Sequence, residues 1–311
     1  MTSEPQASVH PDFSVLGESW NLALDADGYA ANTLRGYAAA LPRLAGWLAE
    51  QHPGLGPADV TRAHVRGWLV HVRETTSSST ARAWFAGVRH FYRWALAEQE
   101  VTGDPTDGIR TPAPNDQKTP LVDHDDLRRL IADCAGRDFR NRRDAAIVYL
   151  FADGGLRLAE LAGLTVDDVD VRDRMVYVKG KGSNRSGPRH RAVPLGVKAT
   201  QALDRYLRER RKHPYAETGP LWLGDRGRPR VSADGIDEML KRRAARLGFT
   251  VHPHQFRHTW ADAFRSAGGS EGDLMTLGGW RNRAMLDRYG RTNADGRAKD
   301  AYRRLSFGDR L

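Results

Sequence analysis

The chain is predicted to be mainly α with a small antiparallel β-sheet, folded as two domains. Three observations carry that expectation. Apolar residues recur at helical spacing, as at Leu34, Tyr37, Leu41, Leu44 and Leu48. One short stretch, Met175–Val178, alternates with period two instead and is answered by a returning strand at His190–Pro194. Between the first helices and the rest, Asp104-Pro105 to Lys118, with Pro112 and Pro114, has linker chemistry. The expected division is an all-helical domain over 12–104, a linker over 105–119 and a second domain over 120–311. The 311 residues are enough for two cores, and no internal repeat is present.

The elements follow in order. The first dozen residues read as a loose terminus. Asn32 is placed to cap a helix running through Leu48, which the His52-Pro53-Gly54 to Pro57 stretch breaks. A second helix is expected from about Thr61 to Arg73. The Thr75-Thr76-Ser77-Ser78-Ser79 cluster then gives a turn and an N-cap for a third, from about Thr80 to Gln99. Beyond the linker, Asp123 to Cys134 and Asn141 to Asp153 read as helices. Gly154-Gly155 interrupts before a short helix carrying Arg157. The two strands flank a turn from Gly180 to Pro188. Helices resume at Val197–Arg211 and continue to the C-terminus.

Charge is unevenly placed. Residues 1–110 hold nine Arg, no Lys and twelve acidic residues, a net of −3, whereas the remaining 39 basic and 27 acidic residues give +12. A polyanion such as DNA is the expected partner of the second part. Cys134 is the single cysteine, which excludes an intrachain disulfide and any multi-cysteine metal site. The N-terminus has neither a basic start nor an apolar core, and the longest apolar run lies near Ala145–Phe151, so an intracellular, cytoplasmic protein with no membrane span is expected.

On the helix beginning near Thr80, Arg82, Arg89 and Arg93 fall within an arc of about 40°, with Trp84, Val88, Phe91 and Ala95 opposite. This suits packing on one side and phosphates on the other, though a charged stripe by itself is an ordinary solvated face.

The residues with chemistry lie further on. Arg157 and Glu160 stand three apart in GLRLAEL, sharing one face of a predicted helix. His254 and Arg257 stand three apart after His252-Pro253, at a predicted helix start, where the N-terminal field favours an anion. His254 and His258 have the spacing of a zinc helix. Gln255 occupies the position of that motif's glutamate, however, and no third ligand is evident, so no metal is expected. Gly279-Trp280 follows, and Tyr289 comes nine residues later. The arginines can hold a phosphodiester by their planar forks, the histidine and indole can donate to its oxygens, and the phenol can attack phosphorus.

In that order these motifs resemble the tyrosine recombinases, the phage-integrase and Xer-like site-specific recombinases, over most of the chain. The resemblance implies a helical core-binding domain plus an α+β catalytic domain on double-stranded DNA. Tyr289 would be the nucleophile, Arg157 and Arg257 the phosphate clamp, His254 a hydrogen-bond donor or proton shuttle, and Trp280 a donor where many members have histidine. Glu160 would orient Arg157. The general acid would lie on the sheet turn, with Lys181 of Gly180-Lys181-Gly182 the first choice and Lys179 the alternative. That turn is about five residues longer than in simple Xer-like members and also carries Arg185. A homotetramer on paired sites is implied, with no cofactor and with accessory DNA-bending proteins possible. Two rival classes are a type IB topoisomerase and a DNA-binding protein on a decayed catalytic scaffold. A tail containing Tyr302, Leu305 and Phe307 is expected to bury either on its own domain or on a neighbouring protomer.

Overall fold

A computed structural model describes residues 12–29, 31–113, 119–180, 189–225, 228–287 and 294–306. They form two compact units, one of residues up to 117 and the other of residues from 118 on. Among the described residues the fold is helical apart from one three-stranded sheet.

Among the described residues the first unit has five α-helices: α1 (Phe13–Ala26), α2 (Ala31–Ala38), α3 (Ala40–Gln51), α4 (Arg62–Thr75) and α5 (Ser78–Ala97). Helix α1 has no counterpart among the predicted elements, although Leu16, Trp20 and Leu24 stand four apart and are all buried. Asp12 starts it by accepting from the backbone of Ser14 and Val15 at 2.8 and 3.0 Å. The single helix expected through Leu48 is in fact two. Pro42 has no N–H for the Ala38 carbonyl and its ring crowds that position, so the chain turns at Ala39. Asn32 falls inside α2 rather than at a cap position before it. Thr61 and Ser77 cap α4 and α5.

Helix α5 is the spine of this unit. Phe85, Val88, Phe91, Tyr92 and Ala95 are buried along it. At Gly87 the backbone of α5 comes so close to α3 that a Cβ would stand 2.9 Å from that of Ala40. His90 is held between Trp20, whose Nε1 donates to Nδ1 at 3.1 Å, and the Tyr29 hydroxyl, 2.9 Å from Nε2. Because indole can only donate, Nδ1 must accept. The ring is therefore the neutral Nε2–H tautomer, and desolvation, followed by the charge of Arg93, lowers its pKa against the pull of Asp27.

The second unit contains α6 (His124–Asp133), α7 (Phe139–Gly154), α8 (Leu158–Ala162), strands β1 (Val169–Asp170), β2 (Met175–Gly180) and β3 (Arg189–Pro194), then α9 (Val197–Arg210), α10 (Ala233–Arg246), α11 (Pro253–Ser266), α12 (Glu271–Gly278), α13 (Arg283–Asp287) and α14 (Ala294–Leu305). The sheet runs β1-β2-β3, antiparallel throughout, with Val178 opposite Arg191 and Val176 opposite Val193. Val176 and Val178 face the core while Tyr177 and Lys179 face outward, the alternation that the sequence predicts. Helix α7 is buried on nearly every side, packed chiefly against α9 and α11 and also touching α6 and α8. Its Asp144 carboxylate is fully buried and accepts from both Arg143 and Arg243. Such a charge is tolerable inside a protein only with partners of this kind.

Candidate active site

Glycine ends α7. Gly155 sits at φ +56 with a left-handed backbone, and a Cβ there would lie 2.2 Å from the Trp260 ring of α11. That turn puts Arg157 at the N-cap of α8, one step ahead of the helix on which the sequence places it. Arg157 and Glu160 therefore meet as a cap and its third helical residue. Glu160 reaches back to the Arg157 backbone N–H at 2.9 Å and also accepts from its Nη1 at 2.6 Å. The Arg157 side chain keeps 35% of its surface exposed, so it can still meet a ligand.

Glu160 is more than a partner for Arg157. Arg191 of β3 donates to both of its carboxylate oxygens, at 3.0 and 2.8 Å, and its Nε donates to the Leu277 carbonyl at 2.8 Å. Burial opposes ionisation of Glu160. The hydrogen bonds and charge of Arg191, followed by the backbone and charge of Arg157, outweigh it and hold the carboxyl at about 2. Sequence reasoning missed Arg191. The available signal was a charged residue on the same strand face as the buried Val193.

Helix α11 opens with His252 at its N-cap, Pro253 in its first turn and the Gln255 amide oxygen accepting from His252 N–H at 2.8 Å. His254 is thus in the first turn and Arg257 one turn further in. Arg257 is 1% exposed, donates Nη1 to Gly155 O at 2.6 Å and Nη2 to Gly278 O, and lies against Trp280 with Cζ 4.2 Å from the ring centroid. Partial desolvation, then the charges of Arg257 and Arg157, lowers the pKa of His254, so both arginines act on this imidazole. His258, packed edge-on against His254 at 4.7 Å, is pushed down to about 4 by burial, His254 and Arg257. Among the described residues no group of three or more His, Cys, Asp or Glu could hold a metal ion.

Trp280 is buried, stacks on Trp260 at 6.0 Å and joins a small cluster with Ala261, Leu274 and Leu286. Arg157 and Glu160 are thus joined by hydrogen bonds, Arg257 and Trp280 by a ring contact, and His254 to both arginines through charge. Lys181, Arg185, Tyr289 and Phe307 lie outside the described residues. Helix α13, with Leu286 buried, ends at Asp287, two residues before Tyr289. Lys179 pairs with Asp168 at 3.3 Å on the outer face of the sheet. In the first unit, Arg82 and Arg89 donate to the chain at 109–112, Arg82 to Pro112 O and Arg89 to Ile109 O and Thr111, while Arg93 is exposed.

Arg157 at the N-cap of α8 and Arg257 inside α11 stand on a mainly helical scaffold with one small sheet. Residues 120–295 match the phage integrase family and residues 19–99 its N-terminal SAM-like domain; the chain belongs to the phage integrase family. It is similar to the tyrosine recombinase XerC of Pseudomonas fluorescens (strain Pf0-1), with 34% identity over 236 residues, covering 74% of this chain and 75% of the relative. A second XerC, from Stutzerimonas stutzeri (strain A1501), is 33% identical over 222 residues, 70% of this chain and 68% of that one. The fold is also that of the Tn1549 transposon integrase in complex with transposon right end DNA, with TM-score 0.71, 21% identity and coverage of 95% of this chain and 100% of the other. The lambda integrase tetramer bound to a Holliday junction gives TM-score 0.68 at 14% identity, covering 90% and 82%. The chain is a tyrosine recombinase, an enzyme of site-specific DNA recombination, and the topoisomerase alternative is not favoured.

Proposed function

We propose that Tyr289 attacks a phosphodiester of double-stranded DNA, forming a 3′-phosphotyrosine bond as the bond to the 5′ oxygen breaks. Arg157 and Arg257 neutralise the charge that develops on the non-bridging oxygens, and Trp280 donates its indole N–H. Lys181 protonates the departing 5′ oxygen. The lowered pKa of His254 leaves its imidazole neutral near pH 7, ready to take the phenolic proton. A 5′ hydroxyl from a partner strand then reverses the attack, so the phosphodiester count is conserved and no cofactor enters. The observation that carries this reading is the placing of Arg157 at the N-cap of α8 and of His254 in the first turn of α11, where the backbone field also favours an anion, with Arg257 one turn further into α11.

Four protomers act on two duplexes in this reading; the lambda integrase of similar fold is a tetramer bound to a Holliday junction. Tyr302 of α14 is 74% exposed, which supports a tail that docks on a neighbouring protomer. The first unit binds DNA as a core-binding domain, within 12–104, joined by 105–119 to the catalytic domain at 120–311. The setting is the bacterial cytoplasm, where accessory bending proteins assist. Among the described residues no helix is long and apolar enough to cross a membrane.

The test is to trap covalent complexes on nicked genomic DNA and sequence the attached ends. The wild type should yield a discrete set of sites, and Tyr289→Phe should bind those sites without forming an adduct. A normal adduct from Tyr289→Phe would move the nucleophile elsewhere, and Tyr302 would be tested next.

A further inference from the structure

We infer that Arg191 is a positioning residue for DNA cleavage: through Glu160 it sets the place of the Arg157 guanidinium relative to the turn that carries Trp280. The inference rests on the recombinase reading above. Glu160 is shared by two arginines with different exposure. Arg191 takes both carboxylate oxygens and is 12% exposed, whereas Arg157 takes one oxygen through its side chain and is 35% exposed. One cation therefore holds the carboxylate and the other is presented outward by it.

Helix α8 has five residues, and its one backbone hydrogen bond to Glu160, from the Arg157 N–H, does not by itself set the plane of the carboxylate. A bidentate guanidinium does fix it, because two parallel hydrogen bonds set both the distance and the plane of the carboxylate. The third contact of Arg191 reaches the other half of the site. Its Nε is bound to Leu277 O, and the next residue, Gly278, supplies the carbonyl that holds Arg257. At Gly279 the chain is left-handed at φ +65, and a Cβ there would stand 3.3 Å from Arg191 Nη1. One side chain thus joins the Arg157 clamp on α8 to the turn that holds Arg257 and leads into Trp280. Displacement of a clamp by a fraction of a bond length is enough to slow a reaction that depends on alignment.

The test uses a nicked duplex carrying one site recovered by the mapping above. Single-turnover adduct formation, DNA affinity and thermal melting are measured for wild type, Arg191→Gln, Arg191→Lys, Glu160→Gln and the Arg191→Gln/Glu160→Gln double variant. Both Arg191 variants should form adduct about 100-fold more slowly with unchanged Kd. The double variant should be no slower than the slower single one, because both changes remove the same linkage. Arg191→Gln should also gain an acid limb in its pH–rate profile, as a buried Glu160 without its main cation takes up a proton, and Glu160→Gln should lack that limb. If Arg191→Gln fails to fold, Arg191→Lys carries the test, since it keeps the charge and loses only the fork. The inference is overturned by wild-type cleavage in Arg191→Lys, by additive losses in the double variant, or by lowered melting with a normal rate per folded molecule. Absence of any adduct from the wild type would instead overturn the recombinase reading.

Discussion

Arg257 lies over the ring of Trp280, its guanidinium carbon 4.2 Å from the centroid, while its two terminal nitrogens bind the carbonyls of Gly155 and Gly278. The indole backs Arg257 through cation–π contact and dispersion, and the proposed mechanism gives its N–H a second task, donation to a phosphate oxygen.

Those tasks separate by substitution. Trp280→Phe keeps a ring under Arg257, so melting should stay within about 2 kcal/mol of wild type. Cleavage should nevertheless drop by about 100-fold through loss of one donor. Trp280→Ala should cost about 3–5 kcal/mol by opening a cavity beside Trp260. Calorimetry and adduct formation measured on the same samples check both. Wild-type cleavage by Trp280→Phe would assign the residue to packing alone.

For the general acid, the ion pair of Lys179 with Asp168 favours Lys181. Lys181→Ala should be slow on ordinary DNA and recover on a 5′-bridging phosphorothiolate, whose thiolate departs without a proton. Lys179→Ala should cleave ordinary DNA at close to the wild-type rate. The opposite pattern would transfer the role to Lys179.

The arginines of α5 divide by their contacts. Arg89 donates to Ile109 O and Thr111 and its guanidinium lies 4.5 Å over Phe85, so Arg89→Ala should destabilise the protein by about 1–3 kcal/mol. Arg93 is exposed. Arg93→Ala should leave melting within about 0.5 kcal/mol but lower the slope of log K against log salt by about 1. Binding isotherms over a range of salt concentrations decide the matter; an unchanged slope would remove Arg93 from the DNA face.

Part of the acid sensitivity should trace to His258. Its pKa falls from 6.5 to about 4 on folding, through burial first and then the charges of His254 and Arg257. Between those values the unfolded chain binds the additional proton. Stability is therefore complete above about pH 6.5 and declines as pH falls toward 4, by a total on the order of 3 kcal/mol from this group. Glu160 contributes its own loss only at lower pH, since its carboxyl moves from 4.5 to about 2. Melting curves of wild type and His258→Asn from pH 8 to 4 should converge in the acid; a constant gap between them would refute the assignment.

Much of this was legible locally. Thr61, Ser77 and Asp123 sit at caps, where their short oxygens satisfy first-turn N–H groups that nothing else can reach. The alternation of Val176, Tyr177, Val178 and Lys179 fixed which face of β2 is inward. The order of GLRLAEL, HQFRH, Gly279-Trp280 and Tyr289 was enough to indicate the family. The break at Ala39 was less visible, because the apolar spacing continues across it and only Pro42 marks the missing hydrogen bond.

What sequence could not give was the company each side chain keeps. Nothing near Arg191 in the chain points to Glu160, 31 residues away, or to Leu277, 86 residues away. The same holds for Arg257, whose partners at Gly155 and Gly278 lie 102 and 21 residues distant. Periodicity, caps and motif order are properties of short segments and are written in the residue types themselves. The depth of Arg257, the sharing of Glu160 and the depressed pKa of His258 arise only when packing excludes water and brings distant backbone carbonyls and charges within hydrogen-bond range.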